Sequence, residues 1–216
     1  MKRTVAIIIA VCCLVVVGMG TVFAMDNWDT INILFRAGQI EREHLDSREA
    51  LTARNDIFLG TNDFSIFESD ISRMDEQFRL IGIEDGRERA IRFLLRREIL
   101  YSEAGNRGFY ASDREVRDLI NLNIEAARSA ENFESDFVPF LNGLGMTDVE
   151  YWESQADVFR KEIAISKFIS SEFGSADAGS RMNDQEIIEE RMQRYLQELV
   201  DNYVEANNLQ WALNER

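Results

Sequence analysis

The chain has 216 residues, of which 45% are apolar and 29% are charged, and it contains a single proline. This composition excludes a disordered chain, and the length is sufficient for one domain with a substantial core. Acidic residues outnumber basic residues by 39 to 24, which disfavours nucleic acid as a partner because phosphate binding requires a basic face. Most of the chain repeats apolar residues at helical spacing, and we therefore predict an all-α fold.

The first 25 residues have the composition of an export signal. Lys2 and Arg3 precede an uncharged run over residues 4–25, and Val22 and Ala24 stand at the two positions that define a cleavage site. The same run, of about 20 residues, is long enough to span a bilayer. The sequence leaves two alternatives, a cleaved signal peptide and a retained membrane anchor. Both place the remainder of the protein outside the cytoplasm.

Cysteine and histidine usage predicts no metal site. Cys12 and Cys13 lie inside the apolar run, and the bulky Val11 disfavours lipid attachment at Cys12. The only histidine, His44, follows Glu41 at the ExxH spacing of di-iron helical bundles, but those sites need this pair twice. We therefore predict that His44 is a solvated surface residue and that the protein binds neither a metal nor another cofactor.

The local signals for helices begin after the export segment. Residues 26–55 are predicted to form a linker or a short helix, and residues 53–61 are the one place where the pattern allows an extended segment. Three capping boxes, each a Ser or Thr three positions before a Glu, predict the starts of later helices. A small polar loop at residues 174–181 precedes the final helix, which is predicted to start near Met182. The three boxes are Ser65 with Glu68, Ser112 with Glu115, and Thr147 with Glu150.

Four segments resemble the N-terminal chaperone domain of the SurA and PrsA family of extracytoplasmic foldases. Residues 62–71 stand where the family has the Ser- or Thr-capped start of its first helix, and the turn before it is only loosely matched. In residues 89–120 an apolar helical stripe, a break at two glycines and a capped second stripe follow one another. Residues 143–169 carry a Gly-rich turn, a Thr cap and a long amphipathic run, and residues 190–210 are similar to the C-terminal segment of that domain. The resemblance implies an irregular multi-helix domain over residues 56–210, with its C-terminal helix packed back on it.

The resemblance also implies a function, with one departure from the family. Members often carry a parvulin-type prolyl isomerase domain before the last helix, and here that place holds only residues 174–181. The implied protein is an ATP-independent chaperone that binds unfolded or extended polypeptides and lacks isomerase activity. No nucleotide-binding P-loop, GxSxG, HExxH or CxxC motif occurs in the sequence, and we expect no enzymatic activity.

An unfolded client would be held by apolar side chains that the protein leaves exposed, and aromatic and Met side chains suit this task. The alternative interpretation of such residues is packing in the core. The alternative function is a structural module of the cell envelope that docks one defined protein partner. The candidate polypeptide-binding residues lie in the turn after residue 108 and in the Phe-rich segment around the proline: Phe109, Tyr110, Phe133, Phe137, Phe140, Leu141 and Met146.

Overall fold

A computed structural model describes residues 27–51, 56–174 and 182–213. Within these ranges the protein is predominantly helical, which confirms the predicted helical character, and it has one antiparallel hairpin of two short strands. The elements are α1 (Asn27–Leu51), β1 (Ile57–Gly60), β2 (Ser65–Phe67), α2 (Glu68–Leu80), α3 (Gly86–Asn106), α4 (Asp113–Arg128), a π-helical turn (Phe133–Phe137), α5 (Val138–Leu144), α6 (Asp148–Ser154), α7 (Ala156–Phe173), α8 (Met182–Ala206) and α9 (Gln210–Leu213).

Helix α1 is part of the folded unit. Its backbone lies directly against α5 at two glycines. A Cβ on Gly38 would meet the Phe140 carbonyl oxygen at 2.0 Å, and a Cβ on Gly143 would meet the Phe35 carbonyl oxygen at 2.0 Å. Side chains of both helices share an apolar cluster around this crossing. The expectation of a linker or a short helix over residues 26–55 is therefore corrected to a helix of 25 residues that packs in the protein.

The hairpin follows α1 and covers one side of the core. Strand β1 lies within residues 53–61, where the sequence allowed an extended segment, and the first three residues of that segment lie outside the described ranges. Leu59 pairs with Ile66, and both side chains are buried. A second cross-strand pair, Ile57 with Phe67, faces solvent. The hairpin is therefore apolar on both faces.

Two of the three predicted capping boxes form, and both start helices. In α4 the Ser112 side chain accepts from the backbone N–H of Glu115, and in α6 the Thr147 side chain accepts from that of Glu150. The prediction at Ser65 is wrong, because this residue is paired in β2 and α2 starts three residues later without a side-chain cap. A capping residue has to lie directly before its helix, and Ser65 instead forms backbone hydrogen bonds within the hairpin.

Helix α3 forms the centre of the main core, and α8 packs back on it. The predicted stripe of α3 is confirmed, since all five of its side chains are buried: Ala90, Ile91, Leu94, Leu95 and Ile99. Helix α8 contributes the buried Leu196 and Val204, as expected of a C-terminal helix that returns to the domain. Asn208 then adopts the left-handed conformation with φ 56°, and α9 returns toward the hairpin. There the ring centroid of Trp211 lies 5.5 Å from that of Phe58.

The sequence predicts a single helix over residues 147–169, but the structure has two helices there, α6 and the larger part of α7. Gln155 ends α6 and begins α7, with φ −84° and ψ 5°. This break lets Tyr151 enter the apolar cluster of α1 and α5 while Phe159 enters a separate cluster with α4. Helical periodicity alone does not reveal such a break, because both pieces keep an apolar face.

None of the helices within the described ranges is long and apolar enough to cross a bilayer. The predicted signal peptide or anchor at residues 1–25 lies outside the described residues, as does the predicted loop at residues 174–181 apart from its first residue. The expectation of export therefore depends on the sequence alone.

Candidate functional site

The Phe-rich segment is packed against the core. Phe140 and Leu141 are 7% and 6% exposed. The ring centroid of Phe137 lies 6.0 Å from that of Phe140 and 5.7 Å from that of Trp152, and Tyr151 makes an edge contact with Phe140 at 5.3 Å. The sequence left open whether these two residues are exposed or packed in the core, and the crossing of α1 and α5 buries this side of α5. The core-packing alternative holds for these two residues.

The other predicted residues are partly covered or isolated. Phe133 and Met146 are half-buried beside the same cluster, and Phe109 lies against Phe168 at 6.2 Å in a different one. Tyr110 is 63% exposed, and its hydroxyl donates to a backbone carbonyl. The structure does not bring the seven predicted residues into one open surface. Their role in polypeptide binding stays a prediction.

His44 and Glu41 are buried where α1 meets α2. His44 Nε2 lies 3.3 Å from a carboxylate oxygen of Asp70. The Glu41 carboxylate accepts from Arg73 at 2.8 Å and from Gln77 at 3.2 Å. The prediction of a solvated histidine is wrong because α1 is a packed helix. Across the residues that the structure describes, no group of His, Cys, Asp and Glu side chains is arranged to hold a metal ion.

A second buried group of charges joins α3 to α7. Glu98 is 5% exposed and accepts from Lys161 Nζ at 2.6 and 2.5 Å and from Arg97 at 3.2 Å. Beside it, burial raises the pKa of the Glu162 carboxyl, and the charge of Arg97 opposes this shift. Since Glu98 is matched by cations of both helices, we assign this group to the docking of α3 on α7.

A groove of about 410 Å³ lies between α3 and α8. Its floor is apolar, with the buried Ile99 from α3 and the half-buried Leu199 from α8. The short side chains of Ser102, Asn106 and Asn202 leave the space above this floor open. The remaining lining residues are polar or aromatic: Glu103, Arg107, Tyr195, Glu198 and Tyr203.

The cation at the end of the groove is engaged by neighbouring groups. Arg107 donates to Glu103 at 2.5 Å, to Glu172 at 2.6 Å and to the Tyr195 hydroxyl at 3.0 Å. The hydrogen bond that Arg107 donates to Glu103 raises the pKa of the guanidinium further above its already high value. Arg107 therefore links α3, α7 and α8 and does not offer a free positive charge to an anion.

Three other lining residues are available to a ligand. Asn106, Glu198 and Asn202 are exposed, and their side chains form no hydrogen bond with the described residues. An asparagine amide both donates and accepts, as a peptide group does, and a carboxylate accepts only. The groove therefore offers an apolar floor, two amides and an acceptor that favours a cationic donor.

The amino-acid sequence gives little indication of this groove. The only local signal is that Ser102, Asn106 and Asn202 are small or amide residues on helices whose other faces carry charged and apolar residues. The groove arises from the way that α8 lies on α3. Helix α3 ends at Asn106 and α8 starts at Met182, so helical periodicity cannot place them together.

Comparison with models of known protein families found no match. No curated protein and no solved structure matches the chain either. The fold and the groove define the protein as a helical domain with an open groove that has an apolar floor and a polar rim.

Proposed function

We propose that the protein is an exported, ATP-independent, chaperone-like protein that binds unfolded or extended polypeptides and has no prolyl isomerase activity. The observation that carries the proposal is the groove between α3 and α8, with its apolar floor and available amides. The resemblance of residues 89–120, 143–169 and 190–210 to the chaperone domain of SurA and PrsA supports it. Its partners would be extracytoplasmic client proteins, and it would meet the membrane only through residues 1–25.

An extended client would use the parts of this groove in different ways. The amides of Asn106 and Asn202 would pair with peptide groups, which every client carries. One apolar client side chain would cover Leu199, and full burial of such a side chain is worth about 1.5–3 kcal/mol. Ordering a flexible client costs about 2–5 kcal/mol, which offsets most of the interaction energy with the groove. The groove therefore suits weak binding of many sequences, from which clients leave without an energy source.

The test is suppression of the aggregation of several unrelated unfolded proteins by the purified chain, measured by light scattering without nucleotide. Asn202→Tyr should fill much of the groove and weaken suppression several-fold, because the ring takes the space that the client needs. Asn121→Tyr is the matched control, since Asn121 is an exposed asparagine on α4 and lies outside the groove. It should leave suppression unchanged.

Circular dichroism of both variants separates loss of binding from loss of fold. Failure of the native chain against every client would contradict the proposal. Equal loss in both variants would show that the groove is not the binding site. Binding of one partner, without suppression for unrelated clients, would favour the alternative function of an envelope module that docks a defined protein.

A further inference from the structure

A second surface exposes apolar side chains around the β1–β2 hairpin. Of the six large apolar side chains that are exposed within the described ranges, three lie here: Ile57 at 49%, Phe67 at 40% and Trp211 at 51%. Ile57 and Phe67 are cross-strand partners, and Trp211 contacts Phe58 of the same hairpin. Clustered exposed apolar groups mark binding sites, whereas scattered ones need no explanation. We call Ile57, Phe67 and Trp211 the hairpin surface.

The hairpin surface lies on a packed base. The Phe58 ring contacts Trp211 and lies 5.6 Å from the Arg87 guanidinium, which in turn donates to the Glu68 carboxylate at 3.1 Å. Behind these residues the hairpin is part of the main apolar core. The exposed side chains are therefore held in place before a partner arrives, which lowers the entropy cost of binding.

The turn of the hairpin contacts the rim of the groove between α3 and α8. Tyr203 lines the groove, and its hydroxyl donates to Asp63 in the hairpin turn at 2.7 Å. Within the described ranges β1 and β2 pair only with each other, so each strand has an edge without a strand partner. An extended chain can pair with such an edge and place alternate side chains on one face.

The charges of the hairpin select among extended chains. Residues 56–68 contain three acidic side chains, Asp56, Asp63 and Glu68, and no basic one. Asp56 and Glu68 lie at the same end, since the Glu68 N–H donates to the Asp56 carbonyl oxygen at 3.0 Å. The whole chain carries a net charge of −15. Glu68 is paired with Arg87 and Asp63 accepts from Tyr203, so Asp56 and the net charge of the chain are the features that attract a basic partner and repel an acidic one.

We infer that the hairpin surface binds an extended polypeptide segment that combines apolar side chains with Lys or Arg. This inference rests on the proposed function and adds to it a second contact and a class of client. A segment of this kind covers Ile57, Phe67 and Trp211 with its apolar side chains and places its cations near Asp56. The same client chain then continues past Tyr203 into the groove.

The experiment uses two short fluorescein-labelled peptides, one alternating apolar residues with Lys and Ser, the other with Glu in place of Lys. Binding to the purified chain is measured by fluorescence anisotropy. The variant Ile57→Thr with Phe67→Thr removes the apolar pair. Threonine is β-branched and suits a strand, and at position 67 it is also a good N-cap for α2, so the fold should survive. The Lys peptide should bind about tenfold more weakly to this variant than to the native chain.

Three further readouts support or overturn the inference. Leu122→Thr alters another exposed apolar residue, on α4 at 37% exposure, and should leave the affinity unchanged. The Lys peptide should shift tryptophan emission to the blue, and Trp211→Phe should abolish this shift. Binding of the Glu peptide as tight as that of the Lys peptide, or unchanged binding by the double variant, would overturn the inference.

Two other occupants of this surface are separate outcomes. If the native chain dimerises and the double variant is monomeric in sedimentation, the occupant is a second copy and the inference fails. If the double variant loses binding to phosphatidylcholine vesicles and not to the Lys peptide, the occupant is a membrane and the inference also fails.

The inference and the proposed function can fail separately. If Asn202→Tyr loses suppression while the double variant keeps both normal peptide binding and normal suppression, the inference is overturned and the proposed function stands. Peptide binding at the hairpin without suppression for any client supports this surface and contradicts the chaperone function.

Discussion

Two glycines set the distance between α1 and α5. A Cβ at Gly38 or Gly143 would lie 2.0 Å from a backbone oxygen of the facing helix. A backbone atom cannot rotate away as a side chain does, so Gly38→Ala has to separate the two helices. We expect it to lower the free energy of unfolding by about 2–3 kcal/mol, measured by urea denaturation followed by circular dichroism.

Gly105→Ala is the matched control for this substitution. Gly105 lies in α3, and the nearest atom to its added Cβ would be a Tyr110 ring carbon at 3.8 Å, an ordinary contact. Because alanine has the higher helix propensity, Gly105→Ala should be neutral or stabilise by up to about 1 kcal/mol. Equal destabilisation by the two substitutions would contradict the close crossing of α1 and α5.

The capping box of α4 carries a pH-dependent contribution to stability. Hydrogen bonds from Lys167 and from the Ser112 backbone lower the pKa of Glu115 to about 2. A carboxyl with a lower pKa in the folded than in the unfolded state stabilises the fold above the unfolded value of 4.5, and this contribution is lost as the pH falls toward 2. Glu115→Gln should therefore destabilise the protein at about pH 7 and much less at about pH 3, measured by urea titration at both.

Glu150→Gln is the control, because Glu150 occupies the same position in the capping box of α6 without a lysine partner. Hydrogen bonds from Thr147 lower the pKa of Glu150, so its substitution should show the same direction with a smaller difference between the two pH values. A larger pH dependence for Glu150→Gln than for Glu115→Gln would be inconsistent with the role of Lys167. Both boxes were predictable, whereas Lys167, which lies 52 residues after Glu115, was not.

At the scale of elements, a buried ion pair holds α1 on α2. Arg73 and Glu41 are 15% and 11% exposed, and a terminal guanidinium nitrogen of Arg73 lies 2.8 Å from the Glu41 carboxylate. The buried Arg73 Nε has no hydrogen-bond partner among the described residues. Glu41→Ala leaves the guanidinium buried without its counter-charge and should cost about 3–5 kcal/mol. Replacing both residues by Met should recover most of this loss. Additive effects of the two single substitutions in a denaturation cycle would show that the pair is not coupled.

Local signals predicted the elements that depend on a few neighbouring residues. The stripe of α3 from Ala90 to Ile99, the caps at Ser112 and Thr147, and the start of α8 all follow from sequence spacing. The false cap at Ser65 shows the limit of such signals, since strand pairing with Gly60 competes for the same residue. The sequence did not predict the length of α1, because this helix is held by contacts with distant elements. Gly38 packs on α5, and Glu41 pairs with Arg73 of α2.

For the whole molecule, the net charge of −15 opposes the compact state. Salt screens this repulsion over a distance of about 10 Å at 0.1 M ionic strength. Raising NaCl from about 0.02 M to about 0.3 M should therefore raise the melting temperature by a few degrees, measured by calorimetry. KCl should have the same effect, because screening depends on ionic strength. A lower melting temperature in both salts would show that specific surface ion pairs outweigh the general repulsion.

The candidate sites are also properties of the whole molecule, and the sequence predicted little of them. Composition drew attention to aromatic residues, but the sequence alone cannot distinguish a buried phenylalanine such as Phe140 from an exposed one such as Phe67. Burial of Phe140 depends on α1, and exposure of Trp211 depends on the turn at Asn208. These arrangements join parts of the chain that are distant in sequence, beyond the reach of local periodicity.

The ties between the hairpin and α8 have a consequence for the order in which the protein can form. Tyr203 bonds to Asp63 across 140 residues, and Leu59 and Ile66 share their core with Val200 and Val204. During synthesis the hairpin is made well before α8, so the part of its inner face that packs on α8 stays uncovered until that helix has been made. Such distant pairings slow folding and favour an all-or-none final step. A protein proposed to shelter unfinished chains would itself pass through a vulnerable, unfinished stage.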